Sequence, residues 1–188
     1  MTLRPLAATL AIAAIAGPAA AAPLKTAVFA GGCFWSMEHD LEPVAGVTDV
    51  VSGYAGGKVA RPTYQNHAGA LEAVRVTYDP AKISYPQLAA RYLRATDPTD
   101  ADGAFCDRGH SYSPAIFVAN EAERQAAAAA ISAAQPRVKG KIVTRILPAS
   151  AFTVAEGYHQ DYARKNPVAY KMYRVGCGKD RRLKAIWS

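Results

Sequence analysis

The sequence predicts an α/β domain of two layers, built on the split βαβ (ferredoxin-like) plan with an added helix and strand and a long irregular C-terminal wrap. The elements of the first 119 residues follow the order strand, helix, strand, strand, helix, strand. A clean two-residue alternation over residues 71–78 marks one strand, and a capping box opening at Ser84 marks one helix. The 188 residues are enough for one domain with a substantial core.

Each element rests on a local pattern of apolar residues between turn or capping residues. The predicted strands cover residues 26–30, 47–55, 71–78, 115–119 and 141–147, and the predicted helices cover residues 34–42, 84–95 and 120–134. Residues 97–113 have turn formers and no period, which predicts a long loop of the kind that compact domains keep for function. From residue 151 we expect short helical pieces and then a coil around residues 176–178.

The first 21 residues are typical of a secretory signal peptide. Arg4 precedes an apolar stretch over residues 6–16, and a run of alanines supplies the small residues of a cleavage site. The apolar run is shorter than the roughly 20 residues that span a bilayer, which argues against an uncleaved anchor. We expect cleavage after Ala21, a single domain at residues 22–188, export to a bacterial periplasm, and no stable membrane insertion afterwards.

The charge pattern argues against nucleic-acid binding. The net charge is +7, and loss of Arg4 with the leader lowers it to +6. The basic residues are scattered, and the densest cluster, residues 179–184, is interrupted by Asp180. A nucleic-acid groove needs aromatic residues interleaved with such charge, and this cluster lacks them. We therefore interpret the cluster as a solvated tail.

The three cysteines, Cys33, Cys106 and Cys177, are an odd number in a chain that we expect to be exported, so at least one has no partner within the chain. They lie far apart, as do the four histidines, so no local spacing suggests a metal site. A structural disulfide and a disulfide that opens during turnover both remain open, because sequence spacing does not separate them.

Cys33 is the candidate nucleophile. It follows Gly31 and Gly32, where a strand-like run breaks and a helix is predicted to begin. A helix N-terminus offers free N–H groups and partial positive charge, which favour the thiolate. The alternative is a small buried apolar residue.

Glu72 is the candidate proton donor. It falls on the same face of its strand as Val74 and Val76, and burial of a carboxyl raises its pKa toward neutrality. The alternative is a glutamate at a sheet edge that reaches water or Arg75.

Aromatic residues complete the candidate site. Tyr64 and Tyr112 offer phenol protons, although most tyrosines are packing residues. Phe34 and Trp35 follow the thiol directly and suit a substrate whose reacting atom bears a methyl or thioether carbon. Ordinary core packing explains those two rings equally well.

Several motifs, taken in order, resemble the A-type peptide methionine sulfoxide reductase family. They are GGCFW at residues 31–35, GYAGG at 53–57, PTY at 62–64, LEAV at 71–74 with YDP at 78–80, Asp107 followed by Tyr112, and YHQDY at 158–162. Each motif alone is weak, but six in the family's order make a chance resemblance improbable. The resemblance covers nearly all of residues 26–177.

The resemblance implies that Cys33 attacks the sulfoxide sulfur, that Glu72 protonates the departing oxygen, and that Tyr64, Asp107 and Tyr112 surround this oxygen. Cys33 would become a sulfenic acid, then a disulfide that an external dithiol reduces, with no cofactor. The chemistry agrees, because a sulfoxide is a poor electrophile until its oxygen is protonated. The family acts on the S epimer of peptide-bound methionine sulfoxide, and we expect the free amino acid to react as well.

The chain departs from the family at two places. Ala70 stands where many members have histidine, two residues before the acid. A single C-terminal cysteine, Cys177, replaces a glycine-rich tail with two, and we expect it to be the resolving thiol because glycines flank it. Cys106 is the alternative, and a cycle resolved by an external thiol alone is a third possibility.

An oxidising compartment would trap the exported enzyme as a disulfide, so we expect an exported thioredoxin-like reductant. We also expect a monomeric enzyme. Two other functions stay open. One is a thiol hydrolase with Cys33 and His159 as nucleophile and base. The other is an exported binding domain with a structural bridge from Cys106 to Cys177.

Overall fold

The structure, a computed structural model, describes residues 22–187. The predicted signal peptide, residues 1–21, lies outside the described residues, so its existence and its cleavage site stay predictions. Within the described part, no helix is both long and apolar enough to cross a bilayer.

The described residues form a mixed sheet with helices packed against it. The strands are β1 (Lys25–Ala30), β2 (Val47–Gly56), β3 (Ala70–Tyr78), β4 (Gly103–Ala104), β5 (Asp107–Arg108), β6 (Ala115–Val118), β7 (Arg145–Pro148) and β8 (Phe152–Val154). The helices are α1 (Phe34–Leu41), α2 (Tyr85–Ala95), α3 (Glu121–Ala134), α4 (Tyr162–Lys165), α5 (Pro167–Gly176) and α6 (Lys179–Ile186), with short 3-10 turns at His110–Tyr112 and Gln135–Arg137.

The strand order of the main sheet is β7-β6-β1-β3-β2-β8. The central four strands, β6-β1-β3-β2, are antiparallel to their neighbours and have the order of the split βαβ plan. β7 is the added strand and runs parallel to β6, whereas β8 adds to the other edge beside β2. The α/β fold class predicted from the sequence is confirmed.

The helices begin where the sequence has capping residues. Ser84 and Gln87 form a capping box at the start of α2, and the side chain of Asn120 accepts a hydrogen bond from the Glu123 N–H at 2.9 Å to open α3. The main core between sheet and helices includes the stacked rings of Phe29 and Tyr92, 4.6 Å apart. β3 lies inside the sheet, so both of its faces are covered and Glu72 faces the helices.

The C-terminal region differs from the prediction. Instead of a coil followed by a solvated tail, α5 continues to Gly176, Gly178 turns the chain at a φ of +64°, and α6 follows. α6 buries Lys179 and Ile186. The sequence pattern missed this because the dense charges of residues 179–184 concealed the two positions that face inward.

The predicted strand over residues 141–147 begins later, at Arg145. The Val143 N–H donates to the Pro98 carbonyl at 2.7 Å, so these residues fasten the long loop before they join the sheet.

Candidate active site

Cys33 lies at the junction of β1 and α1, as predicted. Gly32, with a φ of +91°, has only 2.9 Å between the place of a Cβ and the Cβ of Ala104, so glycine permits both the turn and the close packing. The Gly32 N–H donates to the Tyr112 carbonyl at 2.9 Å, which fastens the thiol to the 97–113 loop. Cys33 is 8% exposed and is the free cysteine of the described residues.

Glu72 points at the beginning of α1. Its Oε2 accepts the Phe34 N–H at 3.1 Å, which places the carboxyl against the residue next to the thiol. Glu72 is 1% exposed, and burial raises its pKa to about 8, with Asp107 adding to the rise and the Phe34 and Tyr112 hydrogen bonds opposing it. The edge-strand alternative is wrong, since Arg75 lies over the ring of Phe152 instead. At pH 7 the carboxyl therefore keeps its proton most of the time.

Cys33 was expected to be a thiolate, but its surroundings in the structure favour the neutral thiol. Burial raises the pKa of the Cys33 thiol, and the carboxyls of Glu72 and Asp107 raise it further. A hydrogen bond from the Trp35 N–H and the hydrogen bond between Cys33 and the Tyr173 side chain act in the opposite direction but do not compensate. The helix N-terminus is present, yet its first N–H is used by Glu72. The resting site thus holds a neutral thiol beside a neutral carboxylic acid.

The oxygen-binding candidates lie around these two groups. Tyr112 hydrogen bonds Glu72, and burial together with the Glu72 charge raises the pKa of the Tyr112 phenol. Burial raises the pKa of the Tyr64 phenol, and the Glu72 carboxyl raises it further. Asp107 accepts a 2.5 Å hydrogen bond from the Tyr173 hydroxyl, and burial raises its pKa. The three candidates are thus brought together, and their roles remain predictions.

Phe34 and Trp35 differ in their environments. The Phe34 ring is buried against Tyr54 and His159, at centroid distances of 5.8 and 4.8 Å. Trp35 is partly exposed and stacks on Tyr162 at 3.7 Å. Both rings border the site, and the Phe34 ring also packs in the core. Substrate contact and core packing are therefore compatible for Phe34.

His159 is oriented for packing. Its Nδ1 accepts the Trp35 indole proton at 3.0 Å, which leaves its own proton on Nε2, and burial lowers its pKa. A ring whose acceptor nitrogen is already used is a poor base for Cys33. This geometry disfavours the hydrolase.

Sequence reasoning missed two residues that hold the site. Tyr173 on α5 hydrogen bonds both Asp107 and Cys33. Glu156 accepts the Tyr54 hydroxyl at 3.0 Å and the Tyr64 N–H at 2.9 Å. Neither had a local signal, because both act through contacts distant in sequence.

The two candidate resolving cysteines are joined to each other. A disulfide links Cys106 and Cys177, with their Cα atoms 4.9 Å apart. Cys106 is exposed on the loop, and Cys177 is partly buried after α5. Asp107, the neighbour of Cys106, bonds Tyr173, so the disulfide lies beside the Cys33 site.

One acidic group lies elsewhere in the described chain. Glu38, Glu42 and Asp161 offer oxygens within 4.8 Å of one another. Glu38 is already used, since it accepts the Asp161 N–H at 2.6 Å and the Ser52 hydroxyl. The cluster therefore works as a structural tie between α1, β2 and the C-terminal segment.

A buried thiol next to a protonated acid, with a disulfide-bonded pair of cysteines nearby, defines a thiol-based redox enzyme. The family model described as peptide methionine sulfoxide reductase matches residues 25–188. A relative from Caulobacter vibrioides, "Peptide methionine sulfoxide reductase MsrA 2", is 54% identical over 96% of this chain and 95% of its own length.

Solved structures agree. Mxr1 from Saccharomyces cerevisiae in reduced form has a TM-score of 0.72 at 30% identity, covering 77% of this chain and 87% of that one. Mxr1 in complex with Trx2 has a TM-score of 0.53 at 27% identity, covering 74% and 85%. The chain belongs to the A-type peptide methionine sulfoxide reductase family. Its activity is the thiol-dependent reduction of peptide methionine S-sulfoxide, which repairs oxidised proteins.

Proposed function

We propose that this chain reduces methionine S-sulfoxide, peptide-bound and free, through a sulfenic acid on Cys33 and then a disulfide. The observation that carries the proposal is the hydrogen bond between Glu72 and the Phe34 N–H, because it sets a proton-bearing carboxyl beside the residue that follows the thiol. Reduction of a sulfoxide requires this pairing of nucleophile and acid.

In the first step the Cys33 sulfur attacks the sulfoxide sulfur while Glu72 gives its proton to the oxygen. The sulfoxide S–O bond breaks, the protonated oxygen is transferred to the Cys33 sulfur as a sulfenic acid, and the bond between the two sulfurs breaks as methionine is released. Cys33 is oxidised by two electrons, the methionine sulfoxide is reduced by two, and the thiol proton of Cys33 replaces the one that Glu72 gave. Tyr64, Tyr112 and Asp107 hold the oxygen, and Phe34 and Trp35 receive the methyl group. The support for these roles is that Tyr64, Tyr112 and Asp107 interact with Cys33 or Glu72, and that Phe34 and Trp35 contact His159, the ring on which Tyr64 also packs.

In the second step the Cys177 thiol condenses with the sulfenic acid, forming a Cys33–Cys177 disulfide and water. The Cys106 thiolate then attacks the Cys177 sulfur, which forms the Cys106–Cys177 disulfide and frees Cys33. The support for this order is that Cys106 and Cys177 are paired while Cys33 is free. Cys177 and Cys106 thus both take part, rather than one of them alone.

An external dithiol protein closes the cycle by reducing the Cys106–Cys177 bridge. Cys106 is the exposed partner, so we expect attack there, with Cys177 as the leaving group. The related Mxr1 was solved in complex with Trx2, which supports a thioredoxin-like reductant. Because thiols supply the electrons, the reaction needs no prosthetic group. We also propose export to the periplasm, on the leader-like residues 1–21, and a monomeric enzyme.

The test separates a reductase from a hydrolase. Purified enzyme is given a dithiol and each epimer of a methionine sulfoxide peptide, and methionine and oxidised dithiol are counted. One dithiol consumed per methionine formed, with the S epimer alone, is the expected result. Methionine formed without dithiol oxidation, or turnover of the R epimer alone, would contradict the proposal.

A further inference from the structure

Two exposed tyrosines lie on the outer side of the candidate active site. Tyr64 is 42% exposed and Tyr158 is 56% exposed, and they are the exposed aromatic side chains of the described residues. Both pack on one imidazole, since their ring centroids lie 4.8 and 4.1 Å from that of His159. The same imidazole lies 4.8 Å from the Phe34 ring and accepts the Trp35 indole N–H at 3.0 Å. The two tyrosines are therefore one ring away from the place where the substrate methyl group is proposed to bind.

Glu156 brings a negative charge to the same place. Its Oε1 accepts the Tyr64 N–H at 2.9 Å, and its Oε2 accepts the Tyr54 hydroxyl at 3.0 Å. Burial opposes ionisation, but the hydrogen bonds to this carboxyl lower its pKa, and the side chain stays 30% exposed. Each carboxylate oxygen can accept a further hydrogen bond. Glu156 is thus charged at neutral pH and can bind a donor from outside.

No lysine or arginine of the described residues forms an ion pair with Glu156. Its ion-pair contact is with Nε2 of His159, at 3.9 Å from its Oε2. Burial lowers the pKa of His159, so the imidazole is neutral at pH 7 and does not compensate the carboxylate. The faces of tyrosine rings attract cations as well, because an aromatic face carries partial negative charge. Two aromatic rings beside a carboxylate without a cation are therefore suited to a cationic side chain.

We propose that Tyr158, Tyr64 and Glu156 form a subsite for a lysine or arginine side chain that neighbours the methionine sulfoxide in the substrate protein. The inference rests on the proposed function, because it takes the Cys33 site as the place of reduction. Neighbouring Cα atoms are about 3.8 Å apart, and the long stem of lysine or arginine can pass His159 to reach Glu156. Tyr64 takes part with its ring face, while its hydroxyl keeps its proposed contact with the sulfoxide oxygen.

The charge of the whole chain would produce the opposite preference. The net charge is +7, and +6 without the leader, so long-range electrostatics repel basic peptides. A preference for lysine would therefore report the local subsite. Because the subsite does not touch the reacting atoms, it binds the substrate equally before and during the reaction, and it should lower KM without changing kcat.

The test compares S-sulfoxide peptides that differ at one residue. Steady-state kinetics with dithiothreitol are measured for peptides with lysine, norleucine or glutamate on either side of the methionine sulfoxide. Norleucine keeps the apolar stem of lysine and lacks its charge. Glu156→Gln removes the charge and keeps an acceptor for the Tyr64 N–H, and Tyr158→Leu removes an aromatic face. Glu121→Gln, at the exposed start of α3, is the matched control.

The readout is the ratio of kcat/KM for the lysine and norleucine peptides within one enzyme, which a general loss of activity does not move. We expect a ratio of about five in the unmodified enzyme and in Glu121→Gln, for lysine on at least one side, and a glutamate peptide poorer than both. In Glu156→Gln and in Tyr158→Leu the ratio should fall to about two or less, through KM. Melting temperatures verify folding.

A ratio of one or less on both sides in the unmodified enzyme overturns the inference. So does an unchanged ratio in folded Glu156→Gln, which would place the source of the preference elsewhere. Either result, with normal turnover of the norleucine peptide, leaves the proposed function intact. An unmodified enzyme that reduces none of the S-sulfoxide peptides would instead overturn the proposed function and the inference with it.

Discussion

At the scale of single residues, the site depends on the environment of two titratable side chains. Burial works on both in the same direction and keeps both protons on at neutral pH. For Glu72 this is productive, because an acid must hold the proton it donates. For Cys33 it is a cost that must be offset when the thiolate is needed.

The pH dependence of the chemical step should report Glu72. Its pKa is about 8, so the protonated form is complete well below pH 8 and is lost as the pH rises through that value. We expect single-turnover methionine formation to decline above about pH 8. Glu72→Gln should lower the rate by about 10²- to 10⁴-fold and remove that decline. Glu121→Gln, on the exposed start of α3, is the control, and an unchanged alkaline limb in Glu72→Gln would argue for another acid.

Tyr173 should contribute to activity although it lies far from Cys33 and Asp107 in the sequence. Its hydroxyl donates to Asp107 at 2.5 Å and bonds Cys33. Tyr173→Phe removes a hydrogen bond to a charged group, worth about 1.5–3 kcal/mol, so kcat/KM should fall about 10- to 100-fold. Steady-state kinetics with a sulfoxide peptide measure this. A rate within twofold of the unmodified enzyme would show that Asp107 is held by other contacts.

At the scale of elements, the site is made by the turn from β1 to α1 and its contact with the loop before β6. Gly31 and Gly32 both have positive φ, and the N–H of Gly32 bonds the Tyr112 carbonyl. The sequence predicted this junction because a strand, two glycines and a helix are consecutive. Local periodicity did not predict that the loop residues lie against this junction, since that contact is made across some 80 residues. The motif resemblance did, because it groups Asp107 and Tyr112 with Cys33.

Gly32→Ala should distort the site through its backbone. A Cβ there would lie 2.9 Å from Ala104 Cβ at a φ of +91°, at a cost of about 1–3 kcal/mol in unfolding free energy. Gly157→Ala is the matched control, because a Cβ there meets nothing within 4 Å. Urea unfolding of both variants measures the difference, and equal stabilities would mean that the turn relaxes without strain.

At the scale of the whole molecule, the C-terminal segment completes a site that the sheet and α1 begin. The sequence predicted the elements of residues 25–118 closely, apart from the short strands β4 and β5, because periodicity and capping are local. It did not predict α6 or the burial of Lys179, because these depend on how a charged segment folds back over α1. It offered the pairing of Cys106 with Cys177 only under the alternative of a binding domain. Glu72, Cys33 and the loop residues were found from motifs, whereas Tyr173 and Glu156 needed coordinates.

Glu38 ties these parts together and should therefore govern global stability. It accepts hydrogen bonds from Ser52 on β2 and from the Asp161 N–H, and burial raises its pKa. Glu38→Ala leaves both donors unpaired, so we expect a loss of about 2–4 kcal/mol in unfolding free energy. Glu38→Gln, which keeps one acceptor, should lose less. Equal losses of unfolding free energy in Glu38→Ala and Glu38→Gln, measured by urea unfolding, would show that the hydrogen bonds of Glu38 do not determine its contribution to stability.

The most direct test of the account is one equivalent of S-sulfoxide peptide added to fully reduced enzyme without reductant, with the thiols mapped by mass spectrometry. The account predicts one methionine per enzyme, a Cys106–Cys177 disulfide and a free Cys33, and in Cys177→Ser a sulfenic acid on Cys33. Methionine formed while Cys33 is never oxidised in Cys177→Ser would contradict it.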